Sequence, residues 1–513
     1  MALIATILIT VVVGIVSYYL WHWTFWKRRG IPGPLGVPIL GKSGTMLDDR
    51  QPPGVVLAEW TKKYGKVYGF TEGMQKVMVV SDPDFVQEIF IKQYDNFYGR
   101  KHNPAQGDPE KDKNVNIVAA QGFRWKRLRT ITAPAFSNNS VKKTLGMMED
   151  SVEEFVKELE KRGGEPVNMH LFFQEYTMDV IMRIAMGQPD SQLFKNPLLH
   201  DCKGFFENNR WPIWMLSGAF PFAVDLLKFA FLKLGLFGAG PFVKVLKTVT
   251  EAVEKRIKMR EEDEKNGVEK GESVDFIDLF LDARADDVEH FGEENSEFHK
   301  STVYNNHRLT TQEIISQCFV FLVAGFDTTA ISLSYVAYFL ALNPKVQQKL
   351  QEEIDKECPN PAITYDQLTR LKYMEMVIKE ALRVYPLASF ANSRRCMRTT
   401  KLGDVTVEAG VDVMVDSWTL HRDKKIWGDD AEEFKPERWE TPSPSHQLFL
   451  SFGLGPRQCL GMRLAYLEQK ILLAHVLRKF NFEKNQKTQI PMKLVGRATS
   501  RPKNLWLSVK TRY

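Results

Sequence analysis

Residues 452–461 read Phe452-Gly453-Leu454-Gly455-Pro456-Arg457-Gln458-Cys459-Leu460-Gly461, and the chain continues as MRLAYLEQKILLAHVLRKF, an amphipathic run with helical spacing. A cysteine at the start of a helix is polarised. The free N–H groups of the first turn and the helix dipole favour thiolate, Arg457 adds positive charge, and the glycines let backbone amides approach the sulfur. Cys459 is therefore a candidate anionic sulfur ligand for one face of a planar metal cofactor. On these residues alone, a tight turn carrying a structural cysteine remains the competing reading.

Upstream, Thr310 to Leu342 has the apolarity of one long helix, opened by the capping box Thr310-Thr311-Gln312-Glu313 and closed by Asn343-Pro344. Midway runs Ala324-Gly325-Phe326-Asp327-Thr328-Thr329. Two small residues there allow a flat cofactor to approach, and an acid–alcohol pair falls inside an apolar helix. The alternative is a pair of hydroxyls bonded back to the preceding turn beside a solvated Asp327. In MEMVIKEALRVYP, Glu380 and Arg383 share a helix face at i, i+3, a spacing that by itself marks a surface ion pair of little worth. Lys66 to Phe70 and Lys76 to Val80 read as strands.

The 513 residues, 44% hydrophobic and 26% charged, are enough to bury a large core without disulfides, which excludes a disordered, collagen-like or cysteine-stapled chain. Lys+Arg 69 against Asp+Glu 63 leaves +6, with the signs interspersed and no basic block for nucleic acid. The five cysteines, Cys202, Cys318, Cys358, Cys396 and Cys459, contain no C-x-x-C, so neither a disulfide framework nor a zinc site is indicated and a reducing compartment fits. Gly36 to Ser43 matches G-x-x-x-x-G-K-[ST], but it follows a Pro/Gly stretch and contains Pro38, which lacks an amide, so a phosphate loop is rejected.

Between Ala2 and Trp26 there is no Asp, Glu, Lys or Arg, and about 20 apolar residues suffice to span a bilayer. The length, the missing basic n-region and the aromatic residues Tyr18, Tyr19, Trp21, Trp23 and Trp26 favour an uncleaved anchor over a signal peptide. Lys27-Arg28-Arg29 places the rest of the chain in the cytosol by the positive-inside bias, so the sequon at Asn138 stays unglycosylated. The division is thus an anchor at 1–26, a basic and Pro/Gly hinge at 27–36, and one body at 37–513. A second apolar region, Trp211 to Phe242, is broken by Pro212, Pro221 and Pro241; it is either a buried helical pair or a surface segment dipping into the same membrane.

The segment Phe452 to Gly461 resembles the haem-binding loop of the cytochrome P-450 enzymes, F-x-x-G-x-R-x-C-x-G, matched at Phe452, Gly455, Arg457, Cys459 and Gly461. The resemblance implies a mostly α fold with a small β region, haem b as cofactor, and Cys459 as its axial thiolate ligand, pushing electron density onto the iron to favour O–O cleavage. Ala324 to Thr329 is similar to the family's (A/G)-G-x-(D/E)-T-(T/S), by which Thr328 steadies the iron-bound peroxo group and Asp327 relays protons to its distal oxygen through water. The family's E-x-x-R helix and P-E-R-F/W segment are matched at Glu380, Arg383 and Arg438, implying a buried charged triad that holds the haem-loop scaffold. Its W-x-x-x-R helix is matched at Trp125 and Arg129, implying with Arg457, and with Arg394 beside Arg395, the partners of the haem propionates.

Stretches such as Val274-Asp275-Phe276, Cys459 to Arg463 and Thr488 to Leu494 look most like the animal microsomal group containing family 3. That likeness implies an endoplasmic reticulum protein facing the cytosol and oxidising a small lipophilic substrate. Its electrons come from an NADPH-dependent flavoprotein reductase, with the small microsomal b-type cytochrome as a second partner. Lys126, Arg127, Lys424, Lys425 and Arg463 are candidate docking cations. Two alternatives keep Cys459: a haem-thiolate isomerase or dehydratase working on peroxides without reductase, which needs no proton relay, and a catalytically silent membrane-bound haem protein. Candidate pocket segments are Asn96 to Gln121, Trp211 to Phe242, Leu387 to Asn392 and Val495 to Thr499.

Overall fold

The computed structural model describes residues 1–207, 211–236, 239–268, 275–284 and 308–512; Val274 and positions 237–238 of the second apolar region lie outside them. At the centre is the helix Thr311–Leu342, begun by the expected capping box: Thr310 Oγ1 accepts the Glu313 N–H at 3.2 Å, and Glu313 Oε2 accepts the Thr310 N–H at 3.2 Å. Its apolar length would also fit a membrane, but it lies in the protein core with Glu313, Gln317 and Asp327 buried among protein partners. Against it pack Met169–Met186, Lys372–Val384 and Met462–Lys479, whose interlocking aliphatic and aromatic side chains form the main core.

The β part is small. Val67–Glu72 and Gln75–Val80 form an antiparallel hairpin, close to the predicted strands; Asp412–Val415 then pairs parallel to Gln75–Val80, and Ser393–Arg395 antiparallel to Asp412–Val415. A second core lies on this sheet. A three-stranded sheet sets the C-terminal strand Trp506–Thr511 between Pro166–Asn168 and Phe480–Glu483. The rejected phosphate-loop match leads only into a single turn, Ser43–Met46, and Lys42 N donates to Thr71 O of the hairpin.

The N-terminal helix Ala2–Trp23 buries none of its residues in the body and is long and apolar enough to cross a membrane. Trp26 departs from the expected anchor. It is buried in the body with its Nε1 donating to Phe70 O at 2.8 Å, because the indole finds a hydrogen-bond acceptor at the sheet. The second apolar region is no buried helical pair. Trp211–Ala219 and Val224–Lys233 meet at a sharp bend, with Phe222 at 83% and Leu226 at 70% exposure. Tyr19 of the anchor donates to Ala219 O at 2.9 Å, so this apolar surface continues that of the anchor helix.

Candidate active site

The cysteine loop is fixed by its own backbone: Gly453 N donates to Leu450 O, Gln458 N to Gly455 O, and Cys459 N to Phe452 O at 2.8 Å. Gly455 has φ 72°, and a Cβ there would lie 2.1 Å from Phe90 O, so only glycine fits. Phe452 packs its ring 5.2 Å from Tyr466, and Gly461 stands at the N-cap of Met462–Lys479 with its N–H directed to the Cys459 sulfur. Cys459 is accessible although protein surrounds it, as befits a side chain facing an internal space; Cys202, Cys318, Cys358 and Cys396 are buried and unpaired.

Burial raises the Cys459 thiol, opposed by the Gly461 N–H and the charges of Arg129 and Arg100, and the balance is upward. The helix start and the arginine charges thus favour the anion as expected, against an opposing burial that is larger. Arg457 points elsewhere, its Nη2 donating to Ala120 O at 2.6 Å and its guanidinium 4.5 Å from the centre of the Trp125 ring. An anionic sulfur here calls for a metal cation on the sulfur itself.

Arg457 is one of four arginines around this loop. Arg129 Nη1 donates to Gln458 O at 2.9 Å, Arg100 Nη2 to Arg457 O at 3.4 Å, and Arg394 donates to Ser393 O and Leu454 O. These acceptors are all backbone carbonyls; among the described residues none of the four arginines has a carboxylate partner. Arg100 Nε, Arg394 Nε, Arg457 Nε and Arg457 Nη1 are buried with no acceptor. Burial pushes all four guanidinium groups below their ordinary pKa, Arg457 to about 9 and Arg394 well down, and the charge of Arg100 lowers these last two further. Unpaired buried cations are costly, and donors left over in such number fit an anionic ligand with several carboxylate oxygens. The two propionates of haem b satisfy that chemistry beside a sulfur donor. Strand alternation separates the two adjacent arginines: Arg394 turns to the cysteine loop, and Arg395 turns to His102 and Asp412.

On the long helix, Ala324 is exposed within an otherwise enclosed stretch and Thr328 is half-buried, one turn apart on one face. That face adjoins the loop through Phe136, whose ring lies 5.1 Å from Phe321 and against Gly461. Thr328 Oγ1 donates back to Ala324 O at 2.7 Å, as one alternative foresaw, but Asp327 is not solvated: it is 1% exposed, accepting from Gln174 Nε2 at 3.1 Å and Thr499 Oγ1 at 3.0 Å.

The Glu380 triad is as expected, and complete. Arg383 is bidentate on Glu380 at 2.8 and 2.9 Å, Arg438 Nε adds a bond at 2.8 Å, and Trp439 Nε1 one at 3.0 Å. The remaining Arg383 donors reach the carbonyls of His421, Ala431 and Glu433. Arg127 is a correction: it is largely enclosed and paired to the buried Glu313 and Arg308 O, so it is no surface docking cation, whereas Lys424, Lys425 and Arg463 are exposed.

Three of the pocket segments meet the long helix, through Ile117 N on Gln317 Oε1 at 2.8 Å, Phe242 against Phe319 at 5.5 Å, and Thr499 on Asp327. Leu387 joins them by accepting from Ser500 N at 2.7 Å. Sequence reading missed Arg100, which stands in no matched motif and whose only signal is its place beside Lys101 in a loop. It also missed Gln174, which looks like any polar residue on a helix.

Residues 31–508 match the family described as Cytochrome P450. The chain belongs to the cytochrome P450 family. It is 71% identical over 504 residues, 98% of this chain and 99% of the other, to the Caenorhabditis elegans P450 designated CYP13A8, and 57% identical over 508 residues, 98% and 97%, to CYP13A1 of the same organism. It is also 56% identical over 518 residues, the whole of both chains, to CYP13A10. The protein is thus a P450 monooxygenase, of a family that carries haem b on a cysteine thiolate.

Proposed function

We propose that this P450 is an anchored microsomal monooxygenase that inserts one oxygen atom from O2 into a small lipophilic substrate, with electrons from an NADPH-dependent flavoprotein reductase. The supporting observation is the set of buried, acceptor-less arginine donors around the loop that carries Cys459. When bound, haem b supplies the iron at which O2 is activated.

The chain's own residues then divide the work. Cys459 Sγ holds the metal from the loop side. Arg100, Arg129, Arg394, Arg457 and the Trp125 ring orient the cofactor's carboxylates, with Phe452 and Gly461 shaping the loop. On the opposite side, Thr328 Oγ1 gives its proton to Ala324 O, leaving its lone pairs toward the internal space; rotation lets the hydroxyl donate there instead. Asp327 is the acid that would pass protons on toward Thr328. An intact acid–alcohol pair favours this reading over a reductase-independent isomerase.

The anchor helix and the contiguous exposed residues Phe222, Leu226, Phe229 and Leu232 support a bilayer-embedded N-terminal face, with the body on the cytosolic side of the endoplasmic reticulum. Lys126, Lys424, Lys425 and Arg463 remain candidate cations for the reductase; unchanged reductase-supported turnover after their neutralisation rejects that assignment. Thr328→Ala is expected to retain haem while releasing more peroxide per NADPH consumed. Unchanged coupling removes Thr328 from the mechanism. A screen of steroids, fatty acids and xenobiotics for the type I spectral shift identifies the substrate class.

A further inference from the structure

Helix Met169–Met186 grips the back of the acid–alcohol motif along a single face. His170 Nδ1 lies 3.0 Å from Ser334 Oγ, Gln174 Nε2 donates to Asp327 Oδ1 at 3.1 Å, Thr177 Oγ1 donates to Phe326 O at 2.8 Å, and Ile181 packs so closely on Gly325 that a Cβ there would lie 2.7 Å from its Cδ1. Positions 170, 174, 177 and 181 share one helix face, and their partners descend from 334 to 325, so the two helices run antiparallel here. From the other side comes Thr499, in the loop between Leu494–Val495 and Arg501–Pro502, donating to Asp327 Oδ2 at 3.0 Å.

Two details set this arrangement apart from ordinary packing. Gln174 is 2% exposed and its Oε1 is buried with no donor. Turning the amide over would place that oxygen against the Asp327 carboxylate, so the orientation is dictated by Asp327 and its cost is borne by the unsatisfied acceptor. Second, Thr177 occupies a carbonyl of the long helix one residue before Asp327, fixing the backbone at the point from which the carboxyl projects.

We propose that Gln174, Thr177 and Thr499 are positioning residues that clamp the Asp327 carboxyl about 100° round the helix from Thr328, setting the orientation from which it serves the water beside Thr328. The clamp rests on the relay role given to Asp327 above.

The test uses the full-length haem-loaded enzyme with Thr499→Val, which keeps shape and removes the donor, Thr499→Ser as rescue, Gln174→Leu, and Asp327→Asn as reference. The first readout is the infrared difference spectrum of the ferrous carbon monoxide complex before and after photolysis, in which the Asp327 carboxyl band is identified by its loss in Asp327→Asn. The second is peroxide released per NADPH consumed with reductase. Thr499→Val is expected to shift the band and change the peroxide ratio by about tenfold, the rate equivalent of one hydrogen bond to a carboxylate, with Thr499→Ser restoring both. A band and ratio unchanged in Thr499→Val, where Asp327→Asn alters the ratio, overturn the clamp alone. A ratio unchanged in Asp327→Asn overturns the relay reading and the clamp with it. Gln174→Leu guards against misfolding of the loop variant: a native Soret spectrum with a shifted band supports the clamp, and an unshifted band counts against it.

Discussion

Arg383 and Arg394 are both fully buried, yet their guanidinium groups have opposite surroundings. Arg383 has a bidentate carboxylate and three backbone carbonyls, and the Glu380 that it meets is shared with Arg438 and Trp439. Arg394 has two carbonyls, no acid and an unsatisfied Nε, with the charges of Arg100 and Arg457 pressing on it. A satisfied network belongs to the scaffold. An unsatisfied one is shaped for a partner that the polypeptide does not supply, and the comparison separates the two roles without reference to motif.

Cutting the complete network should have the larger effect. Glu380→Ala leaves the buried Arg383 guanidinium without a carboxylate and takes one of the two acids that Arg438 meets, the other being Asp430, so a loss of about 3–5 kcal/mol is expected, read as failure to fold or a collapse of the thermal transition before any haem is added. Stability within about 1 kcal/mol of wild type would remove Glu380 from the scaffold.

At the incomplete cluster the sign should reverse with cofactor. Arg394→Met removes a buried, unpaired cation, so the haem-free polypeptide is expected to gain about 1–3 kcal/mol in denaturant unfolding while haem retention falls. Arg457→Met should act likewise. Destabilisation of the haem-free chain by both variants would break the contrast between the clusters.

The last contrast is one of pH dependence and concerns the opposite face of the same strand, where Arg395 meets Asp412. Burial raises Asp412 from 3.8 to about 7, against the lowering charges of Arg395 and Lys101. The folded state therefore holds this proton more tightly than the unfolded chain. Its contribution to stability is present below the unfolded value of 3.8 and is lost as pH rises through about 7. Asp412→Asn removes that loss, so the variant's melting temperature relative to wild type should climb between about pH 4 and pH 8. A constant difference across the range would show that Asp412 does not titrate there.

How far these features could be read from sequence follows the range of the forces behind them. The capping box at Thr310, the hairpin strands and the E-x-x-R pairing depend on neighbours in the chain, and each was legible to within a residue or two. The cysteine loop was legible as a motif, although its Gly455 and Arg457 answer to the distant Phe90 and Ala120. Arg100 and Gln174 were not legible: their meaning comes from Arg457 and Asp327, more than 150 positions away, and no periodicity encodes that meeting. The strength of the opposing burial at the Cys459 thiol was not legible for a related reason. Helix start and nearby charge are local, whereas the burial that outweighs them is a property of the whole fold. Trp26 was assigned to the anchor by composition and drawn into the body by one acceptor at Phe70.

The central claim is that Cys459 holds the haem iron from within the arginine-ringed loop. The most direct measurement is to reduce the purified protein, add carbon monoxide and record the Soret band. The wild type should give the strongly red-shifted band of a thiolate-ligated haem and Cys459→His should lose it; a Cys459→His protein that keeps the band contradicts the assignment.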